Sequence, residues 1–320
     1  VMAKTLHGWR CNSVTCRPAL LPCFLSIYRS GLRVGVVNIM AKILICWMAA
    51  LLLSGHAAAA TTRLITSTHP LYLIARAVTQ GIETPERLLP QDQDGHHIQL
   101  SPHQRQALQQ ADLVLWVGAD YEAPLAPILA PQRNHISLTD LPLLTWLPLR
   151  DVQGQPIAQS RDPHVWLDPR NARKIAWLIA EVRARQYPQH AARYRHNAAQ
   201  FTHALQLSRP STAASYWAYH DAYQYLESTL HLSFAGALTA DHELPPTAKQ
   251  LLLLQKNRPS PSSVCLLSPN PNAQSYLTRL QPATLLLADE TFANAEDFVS
   301  AWQKLAQKIH SCTHRPMTTK

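Results

Sequence analysis

The chain has 320 residues and a formal charge of +9, and this length is enough for two domains with a sizeable buried core. It holds only nine glycines and neither a GxGxxG nor a GxxxxGK[ST] motif, which argues against a nucleotide-binding protein. Six basic and no acidic residues lie in residues 1–60. The remainder has 23 basic and 20 acidic residues without a long basic run, which argues against a nucleic-acid partner.

Residues 40–60, MAKILICWMAALLLSGHAAAA, have the layout of a secretory signal peptide. A lysine follows a methionine, an apolar run extends from Ile43 to Leu53, and small residues continue to Ala60. The run is too short for a comfortable membrane span, and a membrane anchor is the alternative. Residues 1–39 show no clear periodicity, and we interpret them as an upstream extension. The sequence therefore predicts an exported protein.

After residue 60, short apolar strands alternate with helices, which is the pattern of an α/β fold. We expect one helix to open at Pro70 and another to follow a cap at Ser101. Asp120 is expected to cap a third helix. The strands predicted in this part are Arg63–Ser67, Arg87–Leu89, the segment ADLVLWVGAD at 111–120, and His135–Leu138.

Residues 139–161 form a polar connection, and Asn171–Arg185 has the apolar spacing of a helix. Pro188 starts a second helical run, and the last helix is predicted at Ala295–Ile309 with Asn294 as its N-cap. The later strands are predicted at Ser215–Tyr219, Leu232–Leu238, Ser263–Leu267 and Thr284–Ala288. We predict two α/β lobes, 61–187 and 210–320. Each has a mainly parallel sheet flanked by helices, and a long linker helix at 188–209 joins them.

Two of the six cysteines, Cys265 and Cys312, follow residue 60. An even pair in an exported protein favours a disulfide, and two buried free thiols are the alternative.

Histidines at strand ends are the candidate functional residues, because open α/β sheets bind ligands beyond the carboxyl ends of their strands. His96 and His220 occupy such positions, His164 lies in a Pro-bracketed turn in DPHVWLDP, and Asp289 ends the TLLLAD strand. Three imidazoles and one carboxylate would complete a tetrahedral zinc shell between the lobes. A lone histidine at a strand end is more often structural, so the set as a whole carries this hypothesis.

Three longer motifs resemble the zinc-uptake type (ZnuA type) of the metal-binding cluster A-I solute-binding proteins of ABC importers. They are HHIQLSPHQRQALQQADLVLWVGADYE, DPHVWLDPRNARKIA, and YHDAYQYLESTLHL followed by LPPTAKQL. The resemblance covers residues 61–312. One feature departs from it: TWLPLRDVQGQPIAQSRDPH lacks the long His- and acid-rich loop of many zinc-type members.

The resemblance implies four metal ligands: His96, His164, His220 and an acidic residue after the final strand. Asp289 matches that acidic residue best, and the adjacent Glu290 or a water molecule is the alternative fourth ligand. His97 takes a non-ligand slot, and His69, His242 and Glu243 are expected to be structural. The resemblance also implies a late disulfide, which Cys265 and Cys312 match.

The function that the resemblance implies is capture of Zn²⁺ in the periplasm and delivery to an ABC permease in the membrane, without enzymatic activity. We expect a monomer. Zinc affinity should fall below about pH 6, because the histidines must be neutral to bind metal. The alternatives are a manganese- or iron-binding protein or an adhesin of the same fold, and a zinc hydrolase that would need a general base.

Overall fold

The computed structural model describes residues 63–314, except for 92, 94, 96–97, 206–211, 241–243 and 260–263. The expected extension at 1–39 and the signal peptide at 40–60 therefore lie outside the described residues. The same holds for four residues singled out in the sequence: His96, His97, His242 and Glu243.

Two four-stranded parallel sheets form the framework of the protein. The first has the strand order β2-β1-β3-β4, and its strands are β1 (Leu64–Thr66), β2 (Glu86–Arg87), β3 (Leu113–Trp116) and β4 (His135–Ser137). The second has the order β6-β5-β7-β8, and its strands are β5 (Ala214–Ala218), β6 (Leu232–Ala237), β7 (Val264–Ser268) and β8 (Ala283–Leu287). The two sheets share one topology, and the predicted two-lobed α/β fold is confirmed.

The described residues also form nine α-helices. They are α1 (His69–Thr79), α2 (Pro102–Gln110), α3 (Ala126–Leu129), α4 (Pro169–Gln186), α5 (Ala191–Ala204), α6 (Glu227–Leu230), α7 (Ala248–Lys256), α8 (Gln274–Leu277) and α9 (Phe298–Thr313). Helices α4 and α5 pack against each other and connect the two sheets along the chain. None of these helices has the length and apolarity that crossing a membrane would require.

The strands alternate their side chains between two cores, as the two-residue period of a strand requires. Leu64 and Leu115 face a large core that also contains Tyr216 and Leu267 of the second sheet. Ile65 instead belongs to a separate core on the other side of the first sheet. Because one core runs through both lobes, pulling the lobes apart would expose apolar surface at about 25 cal/mol per Å².

The predicted cap at Ser101 is confirmed. Its hydroxyl accepts a hydrogen bond from the Gln104 backbone N, and the Gln104 side chain accepts one from the Ser101 N. This reciprocal arrangement satisfies two of the free backbone donors at the start of α2. The cap predicted at Asp120 is wrong. The short 3-10 turn at Ala123–Leu125 has no side-chain cap, and the Asp120 carboxylate instead lies 3.6 Å from Arg161.

The start predicted for the last helix is also wrong. Helix α9 begins at Phe298 because Asp297, and not Asn294, is its N-cap: Oδ1 of Asp297 accepts a hydrogen bond from the Ser300 N at 2.7 Å. The backbone carbonyls of Ala295 and Glu296 accept hydrogen bonds from His69 and Arg76 of the first lobe. These contacts keep the residues before Asp297 outside the helix.

Cys265 of β7 and Cys312 of α9 form a disulfide, with their Cα atoms 5.9 Å apart and a separation of 47 in sequence. The predicted disulfide is confirmed, and the alternative of two free thiols is wrong. The bond ties the last helix to the second sheet.

Candidate metal centre

His164, His220 and Glu290 converge on one point. Their ligand atoms all lie within 4.8 Å of one another, and all three residues are buried. Nε2 of His220 is 3.7 Å from Oε1 of Glu290, and the two imidazole centroids are 5.7 Å apart. Imidazole nitrogen and carboxylate oxygen are donor types that bind zinc at about 2.0–2.2 Å. We take this cluster as the candidate metal centre.

The cluster lies beyond the carboxyl ends of the strands. His220 comes two residues after β5, Glu290 comes three residues after β8, and His164 precedes the 3-10 turn Val165–Leu167 that leads into α4. Strands of a parallel sheet end at the same edge, so residues that follow different strands can meet there. His220 and Glu290, which follow two strands of the second sheet, therefore meet the turn that carries His164 at this edge.

Asp162 orients the His164 ring. Its Oδ1 accepts a hydrogen bond from the His164 backbone N at 3.0 Å and faces Nδ1 of the ring at 2.8 Å. A carboxylate can only accept here, so Nδ1 carries the proton and Nε2 keeps its lone pair for a metal. Carboxylate–histidine pairs of this kind fix the tautomer and raise the basicity of a zinc ligand.

The charges around His164 favour a cation in the site. Burial of the ring lowers its pKa, but the charge and hydrogen bond of Asp162, with the charges of Glu290 and Asp221, outweigh burial. The pKa of His164 therefore lies above its ordinary value of 6.5. The negative field that favours a proton on this ring also favours a divalent cation.

The second lobe holds Asp162 in place. With its amide oriented to satisfy its neighbours, Gln224 donates to Oδ2 of Asp162 at 3.1 Å and to the Pro148 carbonyl at 3.0 Å. The Tyr225 hydroxyl donates to the backbone carbonyl of Asp162 at 3.0 Å. Both residues come shortly after His220, so the orientation of one histidine depends on the segment that carries the other.

Glu290 is held through its backbone and its side chain. The Trp166 indole N–H donates to the Glu290 carbonyl at 2.8 Å, and the Tyr223 hydroxyl lies 3.4 Å from Oε2. Tyr223 makes a shorter bond, of 2.6 Å, to the carbonyl of Ala288. Burial, followed by the nearby acidic charges, raises the pKa of Tyr223 well above its ordinary value, so this hydroxyl remains a donor.

Asp289, the acidic ligand predicted from the sequence, lies beside the cluster and outside it. Its Oδ1 accepts from the backbone N and the hydroxyl of Thr291, at 3.0 and 2.7 Å. Its Oδ2 accepts from the Ala293 N at 2.7 Å. Both carboxylate oxygens are therefore engaged in closing the turn after β8, and the structure brings Glu290 to the two histidines instead.

His96 and its neighbour His97 are outside the described residues, but the residue before them is described. A Cβ atom built on Gly95 would come within 2.3 Å of the Tyr121 ring, which shows how closely the backbone approaches that side chain. The Tyr121 ring centroid is in turn 6.4 Å from that of His164.

His69 lies buried between the lobes and makes two hydrogen bonds. Arg87 can only donate, so Nδ1 of His69 accepts from it at 2.9 Å, and Nε2 donates to the Ala295 carbonyl at 3.0 Å. Burial is the largest cause of the lowered pKa of His69, which keeps the ring neutral. The ring connects the start of α1 to the loop that carries Glu290.

Sequence reasoning missed three residues that shape the centre: Asp162, Tyr223 and Gln224. A carboxylate two positions before a candidate histidine was a signal for Asp162, since such spacing allows a side chain to bond the ring. No sequence signal pointed to the other two. Gln224 bonds Asp162 and Pro148 of the first lobe, and Tyr223 bonds Ala288 and Glu290 more than 60 positions later in the second lobe, so both roles depend on contacts distant in sequence.

Comparison with known proteins identifies related chains. The family model described as "ZnuA: Zinc-uptake complex component A periplasmic" matches residues 64–312. A curated relative from Yersinia pestis, "High-affinity zinc uptake system protein ZnuA", is 26% identical over 301 residues, and the match covers 82% of this chain and 95% of that one. The protein of the same name from Paracoccus denitrificans is 28% identical over 253 residues, covering 65% of this chain and 76% of that one.

Solved structures show the same fold. A structure described as "Crystal structure of ZnuA" superposes with a TM-score of 0.63 at 20% identity, covering 79% of this chain and 99% of that one. The Zn(II)-bound ZnuA-like domain of AdcA from Streptococcus pneumoniae gives 0.64 at 18% identity, covering 80% and 100%. The periplasmic zinc-binding protein TroA from Treponema pallidum gives 0.63 at 14% identity, covering 80% and 100%.

Proposed function

The chain belongs to the ZnuA family of periplasmic zinc-uptake components, and on this premise we propose that it is the solute-binding component of an ABC importer. It captures Zn²⁺ in the periplasm and delivers it to the membrane permease. The observation that supports this function is the convergence of two histidines and a glutamate, His164, His220 and Glu290, in a buried site beyond the strand ends.

We propose His96, His164, His220 and Glu290 as the four zinc ligands. Glu290 replaces Asp289 in this set because its carboxylate lies with the histidines, whereas that of Asp289 closes a turn. His96 completes the set because the adjacent Gly95 packs on Tyr121, next to His164. Three imidazoles with one carboxylate favour zinc, whereas manganese prefers more oxygen ligands.

The test is a competitive zinc titration of the metal-free protein, with manganese run in parallel. We expect one tight zinc site per chain that excess manganese does not displace. Weak zinc binding at several sites would contradict the proposal, since it would mean that the buried histidines are structural. Equal binding of the two metals would instead support the manganese- or iron-binding alternative.

Paired variants test the ligands themselves. Glu290→Gln should weaken zinc binding strongly, whereas Asp289→Asn should change it less, because the Asp289 carboxylate bonds the turn after β8 and not the two histidines. His96→Ala should weaken binding, and His97→Ala should not. If Asp289→Asn abolished binding while Glu290→Gln did not, the assignment of the carboxylate would be reversed.

We propose that zinc leaves through movement of loops at the site rather than by wide opening of the two lobes. The shared core and the hydrogen bonds that His69 and Arg76 donate to the loop of Ala295 and Glu296 oppose separation of the lobes. This model predicts little change in small-angle X-ray scattering between the zinc-loaded and metal-free protein. A clear increase in the radius of gyration on metal removal would contradict it.

The remaining proposals follow from the sequence and the family. We propose that residues 40–60 are a signal peptide, that the lobes comprise 61–187 and 210–320 with the linker at 188–209, and that the protein is monomeric. We also propose that it has no catalytic activity. A zinc hydrolase would show zinc-dependent turnover that His164→Ala abolishes, so measurable turnover would refute this last proposal.

A further inference from the structure

A segment of the chain crosses from the first lobe to the second before it reaches the metal centre. This crossing segment comprises residues 147–162. The Val152 carbonyl accepts a hydrogen bond at 2.9 Å from the N of Ala237, the last residue of the edge strand β6. The chain then returns to Asp162, whose N donates to the Leu147 carbonyl at 2.8 Å. The segment therefore begins and ends beside His164 and lies on the second lobe between these points.

Arg150 is the charged anchor of the crossing segment. Its Nε and Nη2 donate to Oδ2 and Oδ1 of Asp221 at 2.7 and 2.8 Å, and Nη2 lies 2.7 Å from Oε1 of Glu227. The guanidinium also lies over the Phe234 ring, 4.3 Å from its centroid. Only 10% of the Arg150 side chain is exposed, so water competes little for these contacts.

The main partner of Arg150 is the residue that follows His220. Asp221 is nearly buried, with 11% of its side chain exposed, and it receives both arms of the guanidinium. This fork–fork pairing fixes the direction of the carboxylate as well as its distance. Since Asp221 shares its backbone with His220, fixing the carboxylate restricts the turn that presents the histidine to the metal.

We propose that Arg150 is a positioning residue for zinc binding, which holds the His220–Asp221 turn against the segment that carries Asp162 and His164. The inference rests on the proposed function. Without Arg150, the nearly buried Asp221 and the partly buried Glu227 would have no cation between them, and they would repel each other. The turn would then move, and zinc binding would have to reorder it at a cost in affinity.

The chain contains a matched control in Arg183. This arginine is fully buried, its Nε donates to Oε1 of Glu83 at 2.8 Å and its Nη2 pairs with the other oxygen, and it lies 4.6 Å from the Tyr187 ring centroid. Arg183 thus repeats the contacts of Arg150, a buried guanidinium paired with a carboxylate and lying over an aromatic ring, and none of its partners belongs to the metal centre. Replacing Arg183 therefore reproduces the loss of stability without the loss of positioning.

The experiment compares wild type with Arg150→Lys, Arg150→Met and Arg183→Lys. Zinc dissociation is followed after addition of a chromophoric chelator, and Co²⁺ replaces zinc for visible d–d absorption, which reports ligand geometry. Loss of a group that orients a metal ligand typically costs 10–100-fold in affinity, so Arg150→Met should lose zinc at least about tenfold faster and change the cobalt spectrum. Arg150→Lys should lie between it and wild type, because lysine keeps the charge without the fork.

Arg183→Lys should lower the melting temperature but keep the zinc dissociation rate and cobalt spectrum of wild type. If Arg150→Lys and Arg183→Lys gave the same binding and the same spectrum, Arg150 would be only structural and the inference would be wrong. If Arg150→Met does not fold, the comparison of Arg150→Lys with Arg183→Lys still tests the inference. Failure of wild type to bind zinc tightly would refute the proposed function itself, and is a separate outcome.

Discussion

Replacing Asp162 by asparagine should weaken zinc binding, and by a factor that depends on pH. Asparagine keeps the size of the side chain and an oxygen that can accept from the His164 ring, but it removes the negative charge. Asp162 is 1% exposed and its Oδ1 is 2.8 Å from Nδ1 of His164, so the lost charge acts at contact distance in a site that excludes water. A hydrogen bond to a charged group in such a place contributes about 1.5–3 kcal/mol.

At pH 8 the variant should bind zinc about tenfold to a hundredfold more weakly. A factor of ten corresponds to about 1.4 kcal/mol, which agrees with the lower end of the contribution expected for the hydrogen bond. The reason is that the ring loses both orientation and basicity when its carboxylate partner becomes a neutral amide.

The difference in zinc affinity between the wild type and Asp162→Asn should become smaller as the pH falls. In the wild type, the pKa of His164 is raised above 6.5, with Asp162 as the main raising group, so protons compete with zinc from a pH above that value. In the variant the main raising charge is gone, so the pKa of His164 should be lower than in the wild type and the competition should begin at a lower pH. The wild-type onset should therefore lie above the value of about 6 expected for unperturbed histidines.

The assay is a competitive zinc titration at pH 8 and pH 6, with Asp168→Asn as the control. Asp168 is also buried, but it caps α4 and bonds Arg170 rather than a histidine. The control should lose stability and keep its zinc affinity. A ratio of wild-type to Asp162→Asn affinity that stayed constant or grew between pH 8 and pH 6 would refute the role assigned to Asp162.

Three predictions concern stability. Burial raises the pKa of Glu122 to about 7, so its protonated form stabilises the fold at low pH, and this contribution, roughly 3 kcal/mol, is lost as the pH rises from about 4.5 to about 7. Glu122→Gln should therefore increase the free energy of unfolding in urea more at pH 8 than at pH 5. An equal change at both pH values would contradict the buried-acid explanation. Replacing Cys265 and Cys312 by serine should cost about 4 kcal/mol for a loop of this length, measured by urea unfolding, with no loss expected if the bond does not form in solution. Gly118 has φ +143°, and a Cβ there would lie 2.1 Å from the Thr139 hydroxyl, so Gly118→Ala should destabilise by at least about 1 kcal/mol in thermal unfolding.

Much of the fold could be predicted because the strands carry their own signal. In β3, Leu113 and Leu115 face one core and Val114 and Trp116 the other, so the strand is apolar throughout, as a strand covered on both faces must be. Helix α2 was predictable for a different reason. Its cap, Ser101, lies directly before a proline and three positions before a glutamine, and these contacts are local in sequence.

The metal centre was only partly predictable, because half of its geometry is made by contacts that are distant in sequence. The histidines could be selected by their positions at element ends. The hydrogen bonds of Asp162 could not, because its partners, Gln224 and Tyr225, belong to the other lobe and are more than 60 positions away. The anchor at Arg150 depends on the same kind of contact, at a separation of 71 positions.

The choice between Asp289 and Glu290 shows where sequence pattern reaches its limit. Both residues follow β8, both are acidic, and either could present a carboxylate at the sheet edge. The shorter side chain of aspartate can reach the backbone N–H groups two and four residues ahead, and Asp289 does so at Thr291 and Ala293. The longer side chain of Glu290 extends past this turn to the histidines. The turn therefore uses the carboxylate of Asp289, and the metal centre receives that of Glu290. Exchanging the two residues, as Asp289→Glu with Glu290→Asp, should both destabilise the turn and weaken zinc binding.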